Sequence, residues 1–290
     1  VYGGWVPAVL WVTLGTIFFA GVHDFGALWA SSRHKGKSIG ALSEDVIGKR
    51  TRALFMVVIF LVLLMVNAVF GVVIAGAFVS TPNAVFPAWS AIAVALVIGQ
   101  LLHRNFNLTI LSVVGVMALY FSIYIGSLFP LELPEGMLGL SPNANWIIIL
   151  FVYAAIASML PVWVLLQPRD FINGMQLFVG LFLLYGAVFL SLPDISAPAF
   201  NNQMTEDAPS LVPLLFVTIA CGAVSGFHGI VSSGTSSKQL DKETDARFVG
   251  YFAAMGEGSL ALITIVAVSG AALAATPEIW HEIYDKYGTA

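Results

Sequence analysis

Residues 53–79 read ALFMVVIFLVLLMVNAVFGVVIAGAFV, from Ala53 to Val79, with no charged side chain and one amide, Asn67. At about 1.5 Å per residue such a helix outreaches the roughly 30 Å hydrocarbon core of a bilayer. A barrel strand would alternate apolar and polar side chains over about ten residues, and this run does not. Lipid offers backbone N–H and C=O groups no partner, so a single run that spans it closes its own hydrogen bonds as a helix. The rest of the chain has the same character. Of its 290 residues 59% are hydrophobic and 10% charged, and the mean hydropathy is +0.91. A soluble domain carries about 25% charged residues. The solvent for this surface is lipid.

Eight apolar runs read as membrane spans: Trp5–Ser31, Ala53–Val79, Pro87–Leu102, Asn107–Phe129, Asn145–Leu166, Phe171–Leu192, Ser210–Val231 and Phe248–Ala275. They predict an all-α, multi-spanning bundle that forms one transmembrane domain over residues 1–290. The third run is short for a span. The stretch 193–209, with Pro193, Asp194, Pro198, Asn201, Asn202 and Pro209, reads as an outer loop, and 276–290 as an outer amphipathic or frayed end. The opening Val1-Tyr2-Gly3-Gly4 has no initiator Met, and no charged segment or cleavage site precedes the first run. A fragment without a signal peptide is the expectation.

Charge sets the orientation. Arg33, Lys35, Lys37, Lys49, Arg50 and Arg52 follow the first span; Arg104, then Arg169, then Lys238, Lys242 and Arg247 fall in alternate loops after it. Eleven of the twelve Lys and Arg thus lie on one side, with Lys286 opposite. Cytoplasmic loops retain positive charge, so loops 32–52, 103–106, 167–170 and 232–247 are expected to face the cytoplasm. The intervening loops carry Glu132, Glu135, Asp194, Glu206 and Asp207 and no Lys or Arg. Trp5, Trp89, Trp146 and Trp280 fall at outer ends, Trp29 and Trp163 at inner ends, as interfacial aromatic belts do. The net charge of −4 gives no basic face for a nucleic acid.

A polar group in lipid is costly unless it is paired or faces a cavity, so the polar groups inside the spans are the candidate functional residues. His23-Asp24 lies in the inner half of the first run, about two turns before Arg33. Asp24 reads either as a titrating or gating group or as a partner that locks a cytoplasmic arginine. The seventh run and its exit, Cys221 to Ser237, are dense in glycine and hydroxyl residues: Ser225, Gly226, His228, Gly229, Ser232, Ser233, Gly234 and Thr235. Such a stretch either unwinds, presenting carbonyls and helix ends to a substrate or ion, or forms a close packing seam. His228 titrates near neutrality when unperturbed. Glu257, about ten residues beyond Arg247, is an intramembrane carboxylate. In Ser158 to Asp170, Pro161 should kink the fifth span and Pro168 end it, with Arg169 and Asp170 pairing at the inner face. Asn67 and Gln100 read as interhelical glue. Cys221, the one cysteine, reads as a packing residue.

Ala20-Gly21-Val22-His23-Asp24-Phe25, Ser32-Arg33, Gly36-Lys37-Ser38-Ile39-Gly40, Leu165-Leu166-Gln167-Pro168-Arg169-Asp170-Phe171 and Ser225-Gly226-Phe227-His228 through Ser232 to Leu240 resemble, in that order, the carbon starvation protein A family. The resemblance covers nearly the whole chain. It implies an inner-membrane transporter for peptides, or a pyruvate–proton symporter, working by alternating access. It also implies the amino acid–polyamine–organocation fold of the leucine-transporter type, with two inverted five-helix repeats. In the family a helix with His-His-Phe and Gly-Ala-Gly-Pro runs precedes the helix that opens this chain, and more helices follow residue 275. The eight spans are therefore expected to match the second to ninth of ten core helices, the fifth and seventh lining the central site.

The substrate or ion pathway is expected at Ser158, Pro161, Ser225, Gly226, His228, Ser232, Ser233 and Thr235, and proton coupling or gating at His23, Asp24, Arg169, Asp170 and Glu257. The expected partners are the bilayer, a small peptide or pyruvate, and protons; no cofactor, metal or nucleic acid is expected. No phosphate-binding loop points to ATP coupling. An intramembrane enzyme is the other class, but His281-Glu282-Ile283-Tyr284-Asp285 lacks a second metal-ligating His, and no Gly-x-Ser-x-Gly nucleophile turn lies near a base. A scaffold or sensor subunit is the third, and the intramembrane Glu257 weighs weakly against it.

Overall fold

A computed structural model of the chain describes residues 4–104, 106–134, 139–192, 194–195, 197–200 and 211–271. No strand occurs among them. Seven helical segments are long and apolar enough to cross a membrane: Trp5–Arg33, Lys49–Ser80, Pro82–His103, Leu108–Leu128, Pro142–Met159, Leu166–Ser191 and Asp245–Gly270. The chain is a multi-pass α-helical membrane protein. Phe60, Phe182 and Leu190, exposed at 61, 78 and 90%, are the kind of outward apolar side chains that lipid or a neighbouring helix covers. The readings of Glu135, 201–210 and everything beyond 271 lie outside the described residues.

The helices are α1 (Trp5–Gly15), α2 (Gly21–Arg33), α3 (Ile39–Val46), α4 (Lys49–Ser80), α5 (Val85–His103), α6 (Leu108–Leu128), α7 (Pro142–Met159), α8 (Leu166–Ser191), α9 (Leu211–Thr218), α10 (Ala220–Val224), α11 (Gly226–Ser232) and α12 (Asp245–Val266). A π-helical turn, Thr16–Ala20, joins α1 to α2. The helices form two compact units, Val1–Ile59 with Leu181–Ala290, and Phe60–Gly180.

In the first unit α2 packs along α12 and against α11, and α1 lies against α10 and α12. The buried positions of α2 are Gly21, Asp24, Ala27, Leu28 and Ser31, one stripe at helical spacing. Those of α12 include Ala246, Gly250, Ala254 and Gly258, a small residue every four. Small residues let backbones approach closely in lipid, where no hydrophobic force draws helices together. The approach is tight: a Cβ on Gly250 would sit 2.7 Å from the Phe25 backbone, and one on Gly258 2.5 Å from the Thr16 hydroxyl. The expected span Ser210–Val231 is not one helix. Ile219 separates α9 from α10, and the chain leaves the helix again at Ser225, with φ −70° and ψ 103°.

In the second unit α5 packs along α6. Ala95, Ile98, Leu111, Leu119, Leu165 and Ile172 form its core, and Phe78 meets Trp146 edge-on nearer the other end. Helix starts are capped where the sequence supplies an acceptor. Asn107 Oδ1 accepts from Thr109 N–H at 2.9 Å, and the Ser141 hydroxyl caps α7 ahead of Pro142.

Two expected boundaries are corrected. The fifth span does not run to Leu166 with a kink at Pro161: α7 ends at Met159, and Leu160 is extended, with ψ 145°. The ring of a proline crowds the residue before it out of the helical region, so Pro161 terminates this helix. Pro168 begins a helix rather than ending one, because it stands in the first turn of α8, where its missing N–H leaves nothing unsatisfied. Pro87 lies likewise in the first turn of α5, and the third span is 22 residues long, not short.

Candidate functional site

The break at Ser225 places His228 one turn into α11, and the stripe on α2 turns Asp24 inward. The two side chains meet: His228 Nδ1 lies 3.1 Å from Asp24 Oδ2. On its other side His228 Nε2 lies 2.9 Å from Glu257 Oε2 on α12. Three residues read separately from the sequence thus form one carboxylate–imidazole–carboxylate chain across three helices. Asp24 is 3% exposed. The side chains of His228 and Glu257 are 30 and 29% exposed.

The chain continues at both ends. His23 Nδ1 is 2.8 Å from Asp24 Oδ1. Despite that proximity Asp24 Oδ1 is buried without a hydrogen-bond partner, and so, separately, is His23 Nε2. Adjacent helical residues do not face each other, which accounts for the missing bond. A Cβ on Gly229 would stand only 3.8 Å from His23 Nδ1. At the other end the Cys221 thiol donates to Glu257 Oε1 at 3.7 Å, so Cys221 belongs to the cluster rather than to passive packing.

The imidazole allows two proton arrangements. A neutral ring has one N–H and one acceptor nitrogen. Both contacts are satisfied when His228 is an imidazolium donating to two carboxylates. They are equally satisfied when Nδ1–H donates to Asp24 and a protonated Glu257 donates to Nε2. The two differ by the position of one proton along a 2.9 Å contact. With imidazolium and two carboxylates the triad carries one net negative charge, and one further proton makes it neutral.

Among the described residues Asp24 makes no ion pair with an arginine. Arg33 Nε donates to Glu243 at 2.6 Å, and its guanidinium lies 4.4 Å from the Trp29 ring centroid. At that same end of α2, Ser31 Oγ donates to Lys37 O at 2.7 Å and accepts from Gly234 N–H at 3.1 Å, with Ser237 Oγ 2.7 Å away. Ile39 N–H donates to Ser233 Oγ at 3.0 Å. This hydroxyl knot ties the loop after α2 to the loop after α11. It commits Ser233 to the backbone, beside the buried Ser232 and the turn residue Thr235. Lys37 donates to Asp45 at 2.6 Å, which holds that exposed carboxyl below its ordinary pKa, and Arg52 pairs with Glu44.

The remaining candidates lie in the second unit and do not join the cluster. The Ser158 hydroxyl donates back to Ala155 O at 2.8 Å, and Pro161 is exposed in the turn between α7 and α8. Arg169 does not pair with Asp170. Its Nη1 donates to Tyr153 Oη at 3.2 Å, a partner the sequence reading missed. Neighbouring helical residues diverge by about 100°, so the expected pair had no shared face. Asn67 donates to Leu63 O on its own helix rather than across helices. Among the described residues no group of three or more His, Cys, Asp or Glu is arranged to hold a metal ion.

The family model "Carbon starvation protein CstA" matches residues 1–279. The peptide transporter CstA of Campylobacter jejuni is 33% identical over 270 residues, 91% of this chain and 38% of that protein. The pyruvate/proton symporter BtsT of Escherichia coli is 34% identical, covering 92% of this chain and 38% of its own length. The peptide transporter CstA of Bacillus subtilis is 33% identical, over 97% of this chain and 48% of that protein. The chain thus spans less than half the length of these relatives. No solved structure matches it. The match over residues 1–279 is nearly the whole sequence, and the chain belongs to the carbon starvation protein CstA family.

Proposed function

We propose that this chain forms part of the membrane core of a secondary active transporter. It takes up a small carbon source, a peptide or pyruvate, across the inner membrane together with protons, by alternating access. The observation that carries the reading is the Asp24–His228–Glu257 chain at the break in the helix, 3.1 and 2.9 Å across its two contacts. The names of the relatives, a peptide transporter and a pyruvate/proton symporter, support the class. The interrupted helix supports the leucine-transporter-type expectation, in which unwound backbone borders the substrate and ion sites.

Glu257 is the group that exchanges the proton with the substrate pathway, because it is the more exposed carboxylate. His228 passes the charge to Asp24, which is buried and keeps the ring oriented. Protonation neutralises the triad, and a neutral triad is less costly to occlude in a low-dielectric interior than a charged one. Deprotonation on the other side resets it. A proton can shift the access equilibrium only by as much as its affinity differs between the two states, and a triad that opens and closes at the α10–α11 break supplies that difference.

The test uses the full-length protein in proteoliposomes. Glu257→Gln should abolish accumulation of labelled substrate driven by a proton gradient and leave substrate exchange within about threefold of wild type, since the amide is nearly isosteric. Normal gradient-driven accumulation by the Gln variant would remove Glu257 from the mechanism.

A further inference from the structure

α8 carries a polar stripe along a helix long and apolar enough to cross the membrane. Arg169, Asn173 and Gln176, spaced i, i+4 and i+7, share one face of its 26 residues. All three border one cavity of about 240 Å³ within the second unit, bounded by α5, α6 and α8. The other walls include Pro87, Ala88, Ala91 and Leu119, and no Asp or Glu lines the cavity. Ser122 also borders it, with its hydroxyl hydrogen already given to Leu119 O at 2.7 Å. Arg169 Nη1 donates to Tyr153 Oη at 3.2 Å, while its Nε is buried and unpartnered. Among the described residues no carboxylate forms an ion pair with Arg169. The side-chain amides of Asn173 and Gln176 likewise have no hydrogen-bond partner among the described residues.

A guanidinium and two amides among membrane helices are costly unless paired. Each of the three can donate an N–H, and no acid on the lining competes for it. One fixed positive charge is neutralised by one negative charge, whereas a divalent anion would leave a surplus charge in a low-dielectric setting. The cavity is also smaller than the roughly 300–1,000 Å³ of sites that hold organic molecules. We propose that it binds a single chloride ion, held by Arg169, Asn173 and Gln176. A spherical ion takes donors from any direction, so a guanidinium N–H and two amides set along one stripe suit it. The ion is the counter-charge that Arg169 lacks, and its binding does not depend on the transport reading.

Equilibrium binding of radiolabelled chloride is measured on the full-length protein in nanodiscs, in gluconate buffer of constant ionic strength. One saturable site is expected, from which bromide displaces the label while sulfate and pyruvate at the same concentration do not. Arg169→Gln should weaken binding about tenfold or more, the loss of a charge-assisted hydrogen bond. Asn173→Leu and Gln176→Leu should each weaken it about two- to tenfold, the loss of a neutral donor. Without chloride these two variants should unfold at or above the wild-type temperature, because each removes an unpartnered amide from a membrane helix. Saturating chloride should raise the Tm of wild type more than theirs. The proposal is overturned if wild type has no saturable chloride site, so that water or a segment outside this chain fills the cavity. It is overturned equally if sulfate or pyruvate displaces chloride as well as bromide does, which makes the site one for oxyanions. Wild-type chloride affinity in all three variants, monodisperse by size exclusion, would also sink it, as would a loss of chloride-free stability in Asn173→Leu and Gln176→Leu, which would assign the amides to the packing of the protein itself.

Discussion

Asp24 and Glu257 grip opposite edges of one imidazole, yet their side chains are 4 and 29% exposed. Breaking a buried pair leaves an uncompensated polar group inside, at a cost of about 3–5 kcal/mol, whereas a wetter pair is worth at most about 1 kcal/mol. Asp24→Ala should therefore lower stability by about 3 kcal/mol and Glu257→Ala by less than about 1 kcal/mol, read as thermal unfolding in detergent. Equal losses would mean that both carboxylates are structural, and the division into an orienting and a proton-exchanging group would fail. The sequence made these residues visible because ionisable groups inside apolar runs are rare. It could not show that they meet, since Asp24 and His228 are 204 positions apart. Arg169 was misjudged for a related reason. Its nearest acid in sequence is Asp170, but its direction into the bundle and its contact with Tyr153 exist only once α7 and α8 are packed.

Proline is where the reading of elements went astray. Pro168 looks like a break in a string of letters, yet it occupies a first turn, where a missing donor is harmless. Pro161 was expected to bend a helix that it ends. The Gly/Ser-rich interruption was legible because so many weak helix formers fall together, although the helix parts at Ser225 rather than at a glycine. The close seam between α2 and α12 gives a graded test. A methyl on Gly250 meets Phe25 backbone that cannot swing away, while one on Gly258 meets the rotatable Thr16 side chain. Overpacking of this kind costs about 1–3 kcal/mol. Gly250→Ala should fall at the upper end of that range and Gly258→Ala below it, measured as a loss of thermal stability. The opposite order would show that α12 shifts as a body instead of holding its register against α2.

For the molecule in its membrane, orientation is governed by where Lys and Arg reside, and eleven of the twelve fall in loops expected on one side. The structure adds a reason for one of these loops to stay compact. Lys37–Asp45, Arg52–Glu44 and Arg33–Glu243 pair within and across it, and the hydroxyl knot around Ser31 fastens it to the loop after α11. Such charges and neutral knots sit in water and do not cross lipid. Val46, at the end of α3, is 77% exposed and gives a clean labelling position there; Ser43 on the same helix is buried and would react poorly. Glu132 is exposed in the loop after α6, on the expected outer side. With Cys221 first replaced by serine to remove the native thiol, an impermeant maleimide added to intact cells should label Glu132→Cys and leave Val46→Cys unlabelled until the membrane is opened. Labelling of Val46→Cys alone would invert the orientation and with it the direction of the proposed proton path. Labelling of both in intact cells would mean that the number of crossings between α3 and α6 is even-odd reversed, so that α4, α5 and α6 do not each traverse the bilayer. The three crossings follow from lengths of 32, 22 and 21 residues, each enough for the roughly 20 that a span needs, so the expected result is one labelled site and one protected site.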